Sequence, residues 1–226
     1  MNARITLFII LFCGGTISAH AQKWQPGSFT DIKGNTETGF IRADPSGKGP
    51  VKDEAFIEFK HDNKMNPIKL SAGELRSFIV AQDSFVVAHA PGNQSWAGKE
   101  LDFVKVVLDE EIKLYLGSGG SGGRGVSVNP GLAGGIGTGG GGYGGVGGGV
   151  GISFGGKGGR SKTAYYFGAT TAEMEPLSPI NFNEIMSDIM ADEPEVVDQI
   201  RQKKFHLGNI ETLIAYFKKV KASHQQ

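Results

Sequence analysis

Residues 117–159 hold 24 of the chain's 36 glycines. Such a stretch supplies few side chains to a core, and ordering its backbone costs more entropy than ordering any other sequence. A helix through residues 125–156 would contain 17 glycines, each opposing it by about 1 kcal/mol relative to alanine. The fold must therefore come from the segments on either side. No charged residue lies between Arg124 and Lys157. The composition predicts a flexible, linker-like loop. Scattered Val, Ile and Leu, with Tyr143 and Phe154, leave open an ordered packing or self-association surface. Glycines at 135, 139, 147, 151 and 155 leave a third option, contact with lipid, because this spacing lets helices approach closely in a membrane.

Residues 22–116 read as strands. Phe29 to Ile32 and Gly39-Phe40-Ile41 flank Lys33-Gly34-Asn35 as a hairpin. Ala55 to Phe59 is a short apolar run. Ser71 and Glu74 stand at capping-box spacing and predict a single helical turn. Phe78 to Val80 and Phe85 to Ala88 flank Gln82-Asp83-Ser84 as a second hairpin. Leu101 to Leu108 and Ile112 to Leu116 come next, joined by Asp109-Glu110-Glu111. Ile112, Leu114 and Leu116 alternate with Lys113 and Tyr115, the period of a strand with one face buried. Strand sequence resumes at Ala164-Tyr165-Tyr166-Phe167. The glycine block is thus expected as an insertion in the turn between strands 111–116 and 164–168, at an entropic cost on the order of 2 kcal/mol.

Residues 178–223 read as helices. Phe182, Ile185, Met186, Ile189 and Met190 form one stripe, with Asn181 and Glu184 as an expected capping box. Asp192 and Pro194 open a second helix with Val196, Val197, Ile200 and Phe205 facing inward and Gly208 as its stop. Asn209 starts a third, carrying Ile210, Leu213, Ile214, Phe217 and Val220. One-sided stripes predict helices that pack on one another or on the sheet.

Residues 1–21 have the layout of a secretory signal peptide. Arg4 supplies the positive start, Ile5 to Phe12 the short apolar core, and Ala19-His20-Ala21 the small-residue cleavage site. Cleavage before Gln22 leaves 205 residues with 22 basic and 23 acidic side chains. That balance lacks the broad positive field that nucleic acid requires. Export removes nucleotides. The sole cysteine, Cys13, falls within the signal, so the mature chain is expected to have no disulfide and no thiolate site. Phe12 stands where a lipoprotein signal carries a small residue, which argues against lipid attachment at Cys13. Asn93-Gln94-Ser95 matches the glycosylation triplet, a pattern common by chance.

Candidate sites are weak. Residues 151–158, GISFGGKG, match a phosphate-binding loop except at Gly158, where a magnesium-ligating Ser or Thr is needed. His61, His89, His206 and His224 form no zinc spacing; His89 and His206 are expected at the surface or at element boundaries. Ser153 lies outside any nucleophile elbow. Asp109-Glu110-Glu111 suits a solvated tip, and Asp188, Asp192, Glu193 and Glu195 suit helix ends; neither group gives the spaced oxygens of a calcium loop. Trp24, Trp96 and the Tyr165-Tyr166 pair offer rings for stacking on a sugar, or for filling a core. No catalytic, cofactor-binding or metal residue is assigned.

GSFTDIKGNTETGFIR (27–42), LSAGELRSF (70–78), EEIKLYLG (110–117) and PINFNEIMSDIMADEPEVVDQIRQKKFHLGNIETLIAYFKK (179–219) together resemble uncharacterised exported proteins of Bacteroidota-type bacteria. Asp192-Glu193-Pro194 departs from that pattern, as does Tyr216-Phe217, and the glycine insert is an addition to it. The resemblance implies an envelope or surface setting and transfers no catalytic residue.

The expected architecture is α+β: an antiparallel sheet or open barrel, then a small C-terminal helical bundle. The expected order is signal peptide (1–21), β region (22–116), glycine-rich insert (117–163), returning strand (164–177) and helices (178–223). The leading expectation for function is a non-catalytic exported protein, periplasmic, outer-membrane associated or secreted, that binds or scaffolds an envelope component. Alternatives are a secreted hydrolase whose carboxylates converge in the fold, and self-association or membrane contact through the glycine block.

Overall fold

A computed structural model describes residues 24–91, 96, 98–119, 126–129, 151–154 and 162–225. The fold is α+β. Among the described residues, ten strands form one open antiparallel sheet, and three helices come after it. In chain order the strands are β1 (Gln25–Asp31), β2 (Thr36–Arg42), β3 (Phe56–Lys60), β4 (Ile68–Ser71), β5 (Leu75–Val80), β6 (Asp83–His89), β7 (Leu101–Leu108), β8 (Lys113–Gly119), β9 (Val126–Asn129), β10 (Gly151–Phe154), β11 (Lys162–Gly168) and β12 (Glu175–Pro176). The large sheet runs β12-β11-β8-β7-β6-β5-β1-β2-β3-β4, and β9 pairs with β10 separately. The helices are α1 (Phe182–Ile189), α2 (Pro194–Arg201) and α3 (Ile210–His224).

The hairpins arise from local turn chemistry. Between β1 and β2, the Asp31 carboxylate accepts from Lys33 N, Asn35 N and Asn35 Nδ2, each at 2.8 Å. Gly34 takes φ 91° in this turn, a region open to glycine at no steric cost. The β5–β6 turn is tighter than the sequence suggested. Val80 pairs with Asp83, so Ala81 and Gln82 make the connection and Asp83 and Ser84 belong to β6. Ala81 accepts φ 54° to close it. The expected turn at Ser71–Glu74 is a 3-10 turn over Ala72–Glu74, with Ser71 N donating to Glu74 Oε2 at 2.8 Å.

One end of the sheet curls on itself. The lead-in to β3 reaches β7: Ala55 N donates to Leu101 O at 2.9 Å and Glu100 N to Asp53 O at 2.7 Å. The concave side is filled by phenylalanines. Phe29 meets Phe59 edge-on at 4.8 Å, and Phe78 stacks on Phe85 at 4.7 Å while meeting Phe103 edge-on at 4.9 Å. Gly27 lets β1 lie close against β5, since a Cβ there would sit 2.2 Å from Ile79 O.

At the other end the same sheet face is roofed by the helices. Phe182, Met186, Val196, Ile200, Leu213 and Phe217 pack with Leu108 and Leu114 in one cluster. A bulge in β7 between Val106 and Leu108 turns Leu108 toward the helices, because one extra residue reverses the facing of every later residue in the strand. The opposite face is also covered there, by Trp96, Tyr115, Tyr166 and Met174. Leu114 and Tyr115 are both buried, so β8 is buried on two faces, not the one its alternation predicted. At the seam between curled and roofed ends, Lys105 Nζ pairs with Asp83 Oδ1 at 2.6 Å. Lys218 of α3 adjoins this pair, and its pKa is lowered by partial burial and by the Lys105 charge.

Two expectations for the helices are corrected. Asn181 and Glu184 form no capping box; Asn181 Oδ1 accepts from Ser178 N at 2.7 Å, and Asn181 Nδ2 donates to Pro176 O at 3.2 Å. The Asn181 amide is thus spent on the entering chain. Gly208 does not end α2. That helix stops at Arg201, with Lys203 at φ 61°, and Gly208 lies in the 3-10 turn Leu207–Asn209 that leads into α3.

β8 and β11 pair without a break from Lys113↔Gly168 to Gly119↔Lys162. The glycine-rich segment is therefore inserted at the tip of this hairpin, as the sequence indicated. Within it β9 and β10 pair from Val126↔Phe154 to Asn129↔Gly151.

Candidate functional site

The outward face of β1–β4 gathers aromatic and cationic side chains. Strand alternation sends Phe29, Ile41, Ile57 and Phe59 into the core, which puts Phe40, Arg42, Phe56, Glu58 and Lys60 on the outer side. Register then sets them side by side: Phe40 opposite Lys60, Arg42 opposite Glu58. Trp24 stands just before β1. The Arg42 guanidinium lies 4.6 Å and the Lys60 ammonium 4.5 Å from its ring centre. Lys60 also lies 5.9 Å from the Phe40 ring, and Lys69 of β4 lies 5.1 Å from Phe56. The negative ring faces attract these cations.

One carboxylate enters the group. Arg42 Nη2 lies 2.7 Å from Glu58 Oε2, in a pair largely withdrawn from water. Glu58 fixes the guanidinium beside Trp24. Lys69 Nζ donates to Lys48 O at 2.8 Å. Lys60 has no carboxylate within ion-pair distance among the described residues; its charge rests on the two rings. Farther along the same face stand Ser28, Thr30, Thr36 and Thr38, paired Ser28↔Thr38 and Thr30↔Thr36. The two threonine hydroxyls of the latter pair are 3.1 Å apart.

Of the rings considered for stacking, Trp24 alone lies in this outer group. Trp96 and Tyr166 are buried together with centroids 6.0 Å apart. Tyr165 packs against the helices, and burial, with Glu211 nearby, raises its hydroxyl pKa. Those three serve the core. The histidines are dispersed. His61 Nε2 lies 3.3 Å from Glu37, His89 is exposed at the end of β6, and His206 Nδ1 accepts from Gly208 N at 3.1 Å. His224 Nδ1 lies 2.7 Å from Glu193 Oε2.

Of the acidic residues considered above, Glu110, Glu193 and Glu195 fasten helices. Among the described residues no group of three His, Cys, Asp or Glu side chains is placed to hold a metal. Glu110, expected in a solvated tip, receives Lys221 Nζ at 2.6 Å on both oxygens, while Asp109 pairs with Lys113. Glu193 is buried against His224. Tyr216 donates to Glu195, and that bond raises the tyrosine pKa. Asp188 and Asp192 are exposed.

Within the phosphate-loop look-alike, Gly151–Phe154 is strand β10, including Ser153. Residues 155–158 lie outside the described residues, as do glycines 135, 139 and 147, Tyr143, Cys13, the signal segment and Asn93-Gln94-Ser95. No described helix is long and apolar enough to cross a membrane.

The sequence held the cues for the outer group, namely Trp24 and the alternation in β2 and β3. The pairing that brings Arg42 and Lys60 to one ring is long-range and carries no local motif. Comparison with protein-family models, with curated proteins and with solved structures finds no match.

Proposed function

We propose a non-catalytic exported envelope protein that binds or scaffolds a partner through the outer face of β1–β4. The observation that carries this reading is Trp24 packed against two cations, Arg42 and Lys60, on a face that the core does not use. The concave face is occupied by five phenylalanines, so the outer face is the side left for recognition. The export part rests on the charge, apolar core and small-residue ending of residues 1–21.

The test is fractionation of native cells carrying the full chain or its Trp24→Ala variant. The wild-type chain should remain with envelope material after gentle lysis, and the variant should be released. Equal behaviour of the two forms, or recovery of both from cytosol, would overturn the reading.

A second reading is favoured by one specific observation. β9 and β10 form a two-stranded sheet of their own. Isolated two-stranded sheets are marginal in water, and their free edges invite further strands. Self-association through the glycine-rich segment would supply them.

A further inference from the structure

We propose that the outer face of β1–β4 binds an extended anionic polysaccharide. The inference rests on the reading of this face as the recognition surface and names its ligand class. Three features point the same way.

The first is charge. Arg42, Lys60 and Lys69 stand on the outer side of β2–β4 with Glu58 as the acidic residue among them. The face is positive on a chain whose formal net charge is zero. A carboxylate or sulfate group approaching Lys60 would gain a charge-assisted contact, and Arg42 is already oriented by Glu58.

The second is ring chemistry. Trp24 and Phe40 are half-buried beside these cations. A flat ring next to an ammonium suits a sugar that presents C–H bonds on its face and an anionic group at its edge.

The third is extent. From Arg42 back to Thr36 the strand covers six residue steps, about 20 Å at ~3.3 Å per residue. Along that length the face changes from cation and ring to hydroxyls, at Ser28, Thr30, Thr36 and Thr38. Hydroxyls and lysines match the hydroxyl and carboxylate pattern of a uronic-acid chain over several units. A membrane surface would call for fully exposed apolar side chains to insert; Trp24 and Phe40 are half-buried against the cations, and the far end of this face carries hydroxyls. Nucleic acid would call for a broad positive field.

The experiment uses the chain from Gln22 to Gln226, with polygalacturonate as probe and neutral dextran as its uncharged counterpart. Affinity electrophoresis should show retardation by polygalacturonate and none by dextran, and the retardation should weaken as salt rises. Trp24→Ala and Lys60→Gln should each weaken binding roughly tenfold. Lys33→Gln, in the exposed β1–β2 turn, should leave it unchanged. Circular dichroism of each variant confirms the fold. Lys60→Gln replaces a partly exposed side chain, which keeps the test sound if Trp24→Ala unfolds. Absence of retardation, equal retardation by dextran, indifference to Lys60→Gln, or binding only to phosphatidylglycerol vesicles or to a single-stranded oligonucleotide would overturn the assignment. Failure here with the chain still in the envelope rejects the ligand class alone; a cytosolic chain rejects the underlying reading.

Discussion

Lys221 Nζ sits 2.6 Å from each carboxylate oxygen of Glu110, joining the last turns of α3 to the β7–β8 turn across 111 positions of sequence. The pair keeps part of its surface in water, with side-chain exposures of 28% and 20%. Screening therefore limits its worth. A double-mutant cycle with Glu110→Gln and Lys221→Met should give a coupling of about 0.5–1 kcal/mol at low salt, falling as salt rises. A coupling of zero in urea denaturation would mean that the apolar stripe of α3 docks the helix without help.

The phenylalanine core of the curled end should be far less forgiving. Phe78 is 1% exposed and touches both Phe85 and Phe103. Phe78→Ala should cost about 3–5 kcal/mol through lost burial and a residual cavity. The control is Ile180→Ala, since Ile180 is 97% exposed and its truncation should shift stability by less than about 0.5 kcal/mol. Similar midpoints for the two variants would contradict the placement of the core.

Acid should act on the first hairpin through Asp31. Its pKa is lowered chiefly by the Asn35 side-chain hydrogen bond; desolvation opposes this, and the backbone donors of the turn at Asn35, Lys33 and Gly34 add to the lowering. A carboxylate with a folded pKa below its unfolded value contributes stability above the unfolded value, about 3.9. That contribution is lost as pH falls through the lower, folded pKa. Carboxyl NMR should find the Asp31 midpoint below that of the urea-unfolded chain, and Asn35→Ala should move it back up. Identical midpoints in folded and unfolded chains would refute the turn geometry.

Replacing residues 120–161 by Asn-Gly should leave the fold intact. The ladder between β8 and β11 is already complete at Gly119↔Lys162, and a two-residue connection suits a hairpin. Shorter loop closure should stabilise the chain by on the order of 2 kcal/mol. The same variant tests self-association: if the glycine segment drives it, sedimentation should show a parent oligomer that becomes a monomer. Loss of folding on deletion would show that the insert belongs to the core.

Patterns within one element were mostly legible in the sequence; relations between distant elements mostly were not, the pairing of β8 with β11 excepted. The α3 stripe of Ile210, Leu213, Ile214, Phe217 and Val220 is buried as its spacing required. The hairpin at Gly34 formed because turn chemistry is local. Tyr115 gave no sign of its burial, because the cover over it comes from Trp96, Tyr166 and Met174. Asn181 looked like a cap because Glu184 stands at the right interval, yet Ser178 and Pro176 compete for the same amide. Glu110 and Glu193 looked like solvated charges because their partners, Lys221 and His224, lie at the far end of the chain. The outer face was half legible. Trp24 stood out as a ring, but only the β1–β2–β3 register reveals the two cations beside it.

Residues 1–21 and the Trp24 face meet in one measurement: fractionation of cells making the untagged full chain, with intact-mass analysis of the recovered protein. The expected result is envelope recovery of a chain that begins at Gln22, two residues before Trp24. A cytosolic pool that still carries Met1 would contradict it.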